Sequence, residues 1–517
     1  MEKDPLPKEI HEFFDRTAGR SLIVKGQAGT GKTILSLTML EEMGIIDNSY
    51  YFSTRVSNRS LYSQFPWLKD RDMLKNLIDA STDFLKALYP QSEEYTFFRE
   101  KRTYEMEKVE KAREVLQKLP GADEEFKRPE TVATDNLLSL VKDGEIKELL
   151  QMYQKVDSCL PDPSLIIIDS LESLIERYRI NPTELIKALQ KDLVEMSGVR
   201  LVIILETAEN TQWDYLVDGV ITLSKTEEDG RRYRKLSLDK MRGIRIEQPL
   251  YLYTLDNGRF DHCKSFSHEI PHFKKAHAHI KDGEGSEYHE KGLFSTGTID
   301  LDSILGGGYP RNGLVVLDVT QRVPVSGQMH LYGPVLENFL AQERGVLIML
   351  SRGRCKDMII GWINEVFGDI SKCNVKVLEM DKEITDMLGQ TISNRYEHII
   401  KEAYRELKFR SKGPILTISD WIGVENTIIG EELTHGEVTR ITRKLMNIMK
   451  DNSDLMISLM GPGFSLSEKE KYLSDVHLKL FTKYNSLMMY GEKPNTGVYN
   501  IYLTGEKHPK ANFVPLV

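Results

Sequence analysis

The sequence has little of what marks a secreted, membrane-spanning or nucleic-acid-coated protein. Its four cysteines, Cys159, Cys263, Cys355 and Cys373, are scattered and form no C-x-x-C pair. Neither a disulfide framework nor a zinc knuckle is therefore expected. Long apolar runs are missing as well. The longest, such as Leu314-Val315-Val316-Leu317, are strand-sized and too short to span a bilayer. The opening stretch MEKDPLPKEIHEFF alternates charge and lacks the apolar core of a signal peptide. Positive charge is in deficit, with 69 Lys and Arg against 78 Asp and Glu, a net charge of −9. That balance argues against a surface given over to nucleic acid, although a local basic patch stays open. A soluble, cytoplasmic protein with reduced thiols and no membrane partner is the expectation.

What is present is an ordinary globular composition, 40% hydrophobic and 28% charged, in a chain of 517 residues. That length exceeds one hydrophobic core and implies two or three domains. Ser21-Leu22-Ile23-Val24 reads as a buried strand, followed by a Gly-rich turn and the helical stretch ILSLTMLEEMG, with Gly44 placed as its cap. Strand candidates follow at Tyr50–Ser53, Leu165–Ile168, Leu201–Leu205 and Val220–Leu223, with a helix over Pro182–Met196. Short apolar strands alternating with helices indicate an α/β fold, a parallel sheet covered on both faces.

Between the second and third strands lies a charged insertion, about residues 70–160. Val109, Ala112, Leu116 and Leu119 recur there at helical spacing. It reads as a helical appendage, either a solvated decoration or a partner-binding lid. Residues 258–293 form a polar linker holding six of the twelve histidines: His262, His268, His272, His277, His279 and His289. Their spacing fits no compact tetrahedral metal site, so a linker is the reading. From Phe294 the chain restarts, with strand candidates at Val346–Leu350, Ile415–Ile418, Leu455–Leu459 and Val476–Leu480. Asp218-Gly219-Val220-Ile221-Thr222-Leu223 and Asp475-Val476-His477-Leu478-Lys479-Leu480 echo each other, which suggests two diverged copies of one α/β unit, residues 1–257 and 294–517.

The segment Gly26-Gln27-Ala28-Gly29-Thr30-Gly31-Lys32-Thr33 satisfies G-x-x-x-x-G-K-[ST] between a strand and a helix. Its glycines let the backbone turn successive N–H groups toward phosphates at the positive end of the following helix. Lys32 would meet the β- and γ-phosphates, and the Thr33 hydroxyl would join a Mg²⁺ shell. Asp169, at the carboxyl end of Leu165-Ile166-Ile167-Ile168, supplies the acid for that metal. The expected ligands are ATP and Mg²⁺. Ser170 and Glu172 follow Asp169 and would line the same crevice.

On these residues the first half resembles the RecA/KaiC-like ATPases. A P-loop strand, an acid-ending strand and a late β-ribbon, DGVITLSKTEEDGRRYRKLSLDKMRGIR, occur in that family's order. Lys240-Met241-Arg242-Gly243 matches the family's K-M-R-G motif, which implies that Lys240 and Arg242 contact the nucleotide of a neighbouring subunit. Seven basic residues between Arg231 and Arg245 also leave a solvated hairpin or a nucleic-acid contact open. Glu206, closing the strand Leu201–Leu205, matches the family's acidic position there and would sense the γ-phosphate. One departure stands out. Where relatives carry a glutamate that activates water, this chain has Arg55 and Val56, and an arginine is no base near neutral pH. Slow hydrolysis is therefore expected, with Glu206 or, less well placed, Glu172 as the carboxylate.

Ser295 to Gly308 carry the same family's opening signature S-T-G-x-x-x-L-D-x-I-L-G-G-G, yet the following loop, Asp318 to Gly327, holds no G-K-[ST]. Asp420 stands where a second metal-binding acid would. The expected architecture is thus two RecA-like parallel-sheet domains, the second degenerate, with a helical insertion in the first. Within the superfamily, the P-loop unit, the segment YFSTRVSNRSLYSQFPWL and the F-S-T-G start of the second half resemble the archaeal GvpD-like proteins. That resemblance implies an ATP-binding regulator of gas-vesicle production acting on a protein partner, a transcription activator, rather than on DNA. A RecA-like recombination or repair ATPase and a KaiC-like signalling ring are the alternatives, and a homo-oligomer would accompany either.

Overall fold

The computed structural model describes residues 4–70 apart from 16–18 and 44–45, then 76–79, 147–266, 292–350 apart from 321, 356–379, 392–421 apart from 412, 454–461, 472–504 and 510–517, with a few positions between 440 and 448. Gly44, the repeat at Val109 to Leu119, five of the linker histidines and Cys355 lie outside the described residues.

Two nine-stranded sheets organise the chain. In the first, β1 (Arg20–Gly26), β2 (Ser49–Ser53), β3 (Leu77–Asp79), β4 (Leu165–Asp169), β5 (Arg200–Leu205) and β6 (Gly219–Glu228) run parallel in the order β3-β2-β4-β5-β1-β6. Three antiparallel strands complete it: β7 (Arg231–Met241), β8 (Leu250–Thr254) and β9 (Asp261–His262). A small antiparallel pair, β10 (Leu293–Phe294) and β11 (Tyr309–Pro310), opens the second half.

The second sheet contains β12 (Leu314–Val319), β13 (Gly345–Leu350), β14 (Val375–Glu379), β15 (Ile415–Asp420), β16 (Leu455–Met460), β17 (Val476–Lys483), β18 (Ser486–Lys493), β19 (Val498–Thr504) and β20 (Lys510–Pro515). Its order, β14-β13-β15-β16-β12-β17-β18-β19-β20, repeats the first with β12 in the place of β1. The register repeats too. Leu22 lies opposite Gly219 as Val315 lies opposite Val476. The acids before those partners also do the same work: Asp218 accepts from the Ser21 N–H at 3.2 Å, and Asp475 from the Leu314 N–H at 2.9 Å. Two RecA-like α/β units follow from this shared topology.

Each parallel strand is apolar on both sides because helices cover both faces. Leu22 and Val24 pack with Leu35, Leu37, Met39 and Leu40 of the helix Lys32–Glu42, while Ile23 faces the opposite core with Leu185, Leu189 and Leu193. The helix expected over Pro182–Met196 is α-helical to Leu189 and widens into a π turn from Gln190. Inside the segment read as an insertion, β3 pairs with β2, and the helix Lys147–Cys159 buries Leu149, Met152 and Val156 in that same core. Both ends of that segment are therefore structural. Among the described residues, no helix is long and apolar enough to cross a membrane.

Candidate nucleotide site

The loop between β1 and the helix Lys32–Glu42 leaves Gln27, Ala28 and Gly29 exposed and buries Thr30. Gly29 and Gly31 have φ of 75° and 93°, the left-handed region that glycine enters without a Cβ clash. Gly31 then starts the helix as its N-cap, so the free N–H groups of the first turn face the loop. Lys32 is buried. Its ammonium donates to the carbonyl of Gly26 at 2.7 Å and of Gln27 at 3.1 Å, and lies 3.2 Å from Glu206. The Thr33 hydroxyl donates to Asp169 at 2.7 Å. Sequence reasoning brought these four residues to one crevice, and the sheet order places them there.

Asp169 ends β4 beside β1's neighbour β5, and the Tyr51 hydroxyl on β2 also donates to it. Burial pushes the Asp169 carboxyl above its usual range, against the lowering effect of its bonds from Tyr51 and Thr33. Around it the backbone is pinned. The Thr54 hydroxyl donates to the carbonyls of Asp169 and Ser170, both at 3.0 Å, and the Thr54 N–H donates to Asp169 O at 2.8 Å. Glu206 closes the crevice from β5. One carboxylate oxygen meets Lys32, and the other lies 3.3 Å from the Arg55 guanidinium. Arg55 in turn donates to Ser173 Oγ at 2.6 Å. The Glu206 N–H donates to Glu172 at 2.6 Å, and burial raises the Glu172 carboxyl.

The described residues from Gly26 to Thr33 therefore form one loop facing two acids, Asp169 and Glu206. Comparison with known proteins bears on the loop. The family model described as the GvpD gas vesicle protein P-loop domain matches residues 10–239. A protein named GvpD2 from Halobacterium salinarum is 27% identical over 523 aligned positions, spanning 96% of this chain and 93% of that protein. A second from the same organism, named GvpD1, is 28% identical over 371 positions, spanning 70% of this chain and 59% of that protein. Residues 10–239 thus carry a P-loop domain of the GvpD gas vesicle protein kind, and nearly the whole chain is similar to a GvpD protein. A P-loop of this family is a nucleotide-binding element, and the matched span includes Lys32, Asp169 and Glu206 but stops one residue before Lys240.

Lys240 and Arg242 sit apart from the crevice at the end of β7. The Lys240 ammonium donates to the carbonyls of Asp214 at 2.8 Å and Val217 at 2.6 Å of its own chain. Burial and the neighbouring Arg242 lower its pKa. Arg242 is more than half exposed, 3.7 Å from Asp218. Of this pair, Arg242 is the one directed to solvent.

Sequence reasoning missed a different cation pair. The two-residue turn Asp229-Gly230 has φ of 50° and 68° and joins β6 to β7, so Lys225 lies opposite Arg234. Arg234 donates to the Gly29 carbonyl at 2.7 Å, and a Cβ on Gly29 would lie 3.9 Å from Lys225 Nζ. From β8, Tyr253 donates to the Thr30 carbonyl, and the side chain of Leu255 lies where a Cβ on Gly31 would go. The Asp-Gly turn was the available signal, because it fixes the register that brings Lys225 and Arg234 together.

In the second unit, strand register sets Val325 and Ser326 where the first has Lys32 and Thr33, and Asp420 where it has Asp169. A cavity of about 10 Å³ lies there, lined by Val325, Gln328, Tyr332, Ile348 and Asp420 among others. Such a volume holds about one water. At the start of the linker, half-buried His262 ends β9, and buried Cys263 packs between Tyr233 and Leu252 of the first sheet and Met488 and Tyr490 of the second. Among the described residues no group of three or more His, Cys, Asp or Glu could hold a metal ion.

Proposed function

We propose that this GvpD-like chain is an ATP-operated switch that regulates gas-vesicle production through a protein partner, with slow ATP hydrolysis. The observation carrying the reading is the Glu206 carboxylate between Lys32 and Arg55, at 3.2 and 3.3 Å. An incoming γ-phosphate would compete for both cations, so occupancy would move Glu206 and the segment that carries Arg55. Thr33 and Asp169 are the residues that would hold Mg²⁺, a hard ion suited to hydroxyl and carboxylate oxygens. The ion would neutralise phosphate charge; Lys32 and the loop amides would orient the triphosphate.

Slow turnover follows from the carboxylates available. Glu206 is held by two cations, and Glu172 is tied to the Glu206 N–H. Neither is poised as a free base. Arg242, exposed at the end of β7, remains a candidate contact to a neighbouring subunit's nucleotide, with Lys240 holding the preceding turn. The second unit, with Val325 in the lysine's place, would serve as a response element rather than a second nucleotide site.

The test measures Mg·ATP affinity and turnover of the whole chain beside Lys32→Ala. Tight binding lost on substitution, with turnover well below ~1 per second, is the expected result. Turnover of tens per second would sink the switch, and absence of binding in the unsubstituted protein would sink the nucleotide reading.

A further inference from the structure

The strands β7 and β8 have two differently occupied faces. On one, Leu236, Leu238, Tyr251 and Tyr253 join the core beneath the P-loop. On the other, Tyr233 and Leu252 pack with Met488, Tyr490, Val498 and Leu516 of the second unit. Alternation along a strand produces this division directly, since neighbours point to opposite sides. On the second face the Arg231 guanidinium sits 3.8 Å over the Tyr490 ring and donates to the Gly491 carbonyl and to Asn495, both at 3.0 Å. The Thr254 hydroxyl donates to the Pro515 carbonyl at 2.7 Å, immediately beside Tyr253, which holds the P-loop.

Arg234 joins the two faces. Its Nη1 donates to Gly29 in the P-loop, and its Nε donates to the Val517 carbonyl at 2.6 Å. These anchors matter for phosphate binding because a trans peptide holds its C=O and N–H in opposite directions. Fixing the carbonyls of Gly29 and Thr30 outward, onto Arg234 and Tyr253, turns the N–H groups of Thr30 and Gly31 the other way. The Thr30 N–H meets the Gln27 carbonyl at 3.3 Å, a long bond that a phosphate oxygen can replace. A loop anchored in this way needs less ordering when an anion arrives.

We propose that Arg234 is a positioning residue which couples nucleotide occupancy of the P-loop to docking of the second unit's last strand, β20 with residues 516–517. The proposal rests on the nucleotide reading above. One guanidinium serves both the loop and the strand, so each stabilises the geometry the other needs. Coupling of this kind is reciprocal: docking favours nucleotide binding by the same factor by which nucleotide favours docking.

The experiment compares the full chain with Arg234→Ala, Arg234→Lys, Thr254→Val and the Arg234→Ala/Thr254→Val double variant. It measures Mg·ATP affinity by calorimetry and amide exchange across residues 510–517, with and without Mg·ATP. Thr254 touches the second unit and not the P-loop loop carbonyls, so it separates docking from loop anchoring. The expected result is a roughly 5- to 20-fold loss of affinity in Arg234→Ala, within the usual range of coupling. A several-fold loss is expected in Thr254→Val, with less than additive loss in the double variant. Arg234→Lys, which keeps charge but not the fork, should restore little. Mg·ATP should slow exchange at 510–517 in the unsubstituted chain and leave it unchanged in Arg234→Ala. Unaltered affinity in Thr254→Val, or exchange at 510–517 indifferent to nucleotide while ATP binds, overturns the coupling alone. No ATP binding to the unsubstituted chain overturns the coupling and the nucleotide reading together.

Discussion

The Lys32 ammonium lies 3.2 Å from a carboxylate oxygen of Glu206, so the charge that should receive a phosphate is already engaged by an acid. Removing that acid's charge should favour the ligand. Glu206→Gln is expected to tighten nucleotide binding about 5-fold, roughly 1 kcal/mol, a modest figure because Glu206 is one-third exposed. Turnover should fall in the same variant if Glu206 takes part in hydrolysis. Calorimetry and a phosphate-release assay on one preparation check both; weaker binding in Glu206→Gln would mean that the acid helps rather than competes.

The 2.7 Å bond between Thr33 and Asp169 brings together the two residues proposed to hold Mg²⁺. For the unsubstituted chain, chelating Mg²⁺ should weaken ATP binding by at least ~10-fold, because Thr33 and Asp169 are the residues that would hold the ion and it would neutralise phosphate charge there. Thr33→Ala and Asp169→Asn should bind ATP with nearly the same affinity in Mg²⁺ and in chelator. Retention of the full metal effect in both variants would place the ion elsewhere.

The P-loop and Asp169 were legible because their chemistry is local: a glycine pattern, and an acid at the end of four apolar residues. Glu206 was legible only through resemblance to a family's acidic position after its strand. The doubled topology was legible through one echo, Asp218 and Asp475, whose carboxylates turn out to bond the starts of β1 and β12 alike. Arg234 was hidden among seven basic residues because its role depends on hairpin register and on Val517, 283 residues away. Tyr51 was invisible for a related reason: a tyrosine in an apolar strand reads as core until the neighbour across the sheet is known. The strands β18, β19 and β20 were not anticipated either. Their polar ends and the turn at Tyr484-Asn485 gave no sign of an interior in which Met488, Tyr490 and Val498 are buried against the first unit.

Acid should destabilise the protein through His262. Burial, then Lys264, pushes its pKa down to about 4 from the ordinary 6.5. In the unfolded chain the same imidazole takes up a proton near 6.5, so the unfolded state binds more protons between those values. Stability therefore falls as pH drops from about 6.5 to 4, by up to roughly 3 kcal/mol from this residue. Urea midpoints at pH 7 and pH 5 should differ by less in His262→Gln than in the unsubstituted chain. An equal difference would assign the acid lability to other groups.

Gly297 of the second unit should resist replacement. Its φ is 83°, and a Cβ there would stand 2.2 Å from the Pro334 carbonyl. The Ser295 hydroxyl and the Thr296 N–H both donate to buried Asp302, so the segment cannot swing aside freely. Gly297→Ala is expected to cost about 2–4 kcal/mol, the range for enforced backbone strain with overpacking. Chemical denaturation followed by tryptophan emission measures it, and a loss under ~1 kcal/mol would show that the segment relaxes.

The turn Asp229-Gly230 also restricts how this ribbon can change in length. One residue added to or deleted from β7 would exchange its faces. Arg231 and Tyr233 would then point toward the P-loop, while Leu236 and Leu238 would be presented to the second unit. Length changes there are tolerable only as paired events that preserve parity, or beyond the ends of the ribbon. Drift in this stretch should therefore proceed by substitution, with indels gathering in the connections on either side.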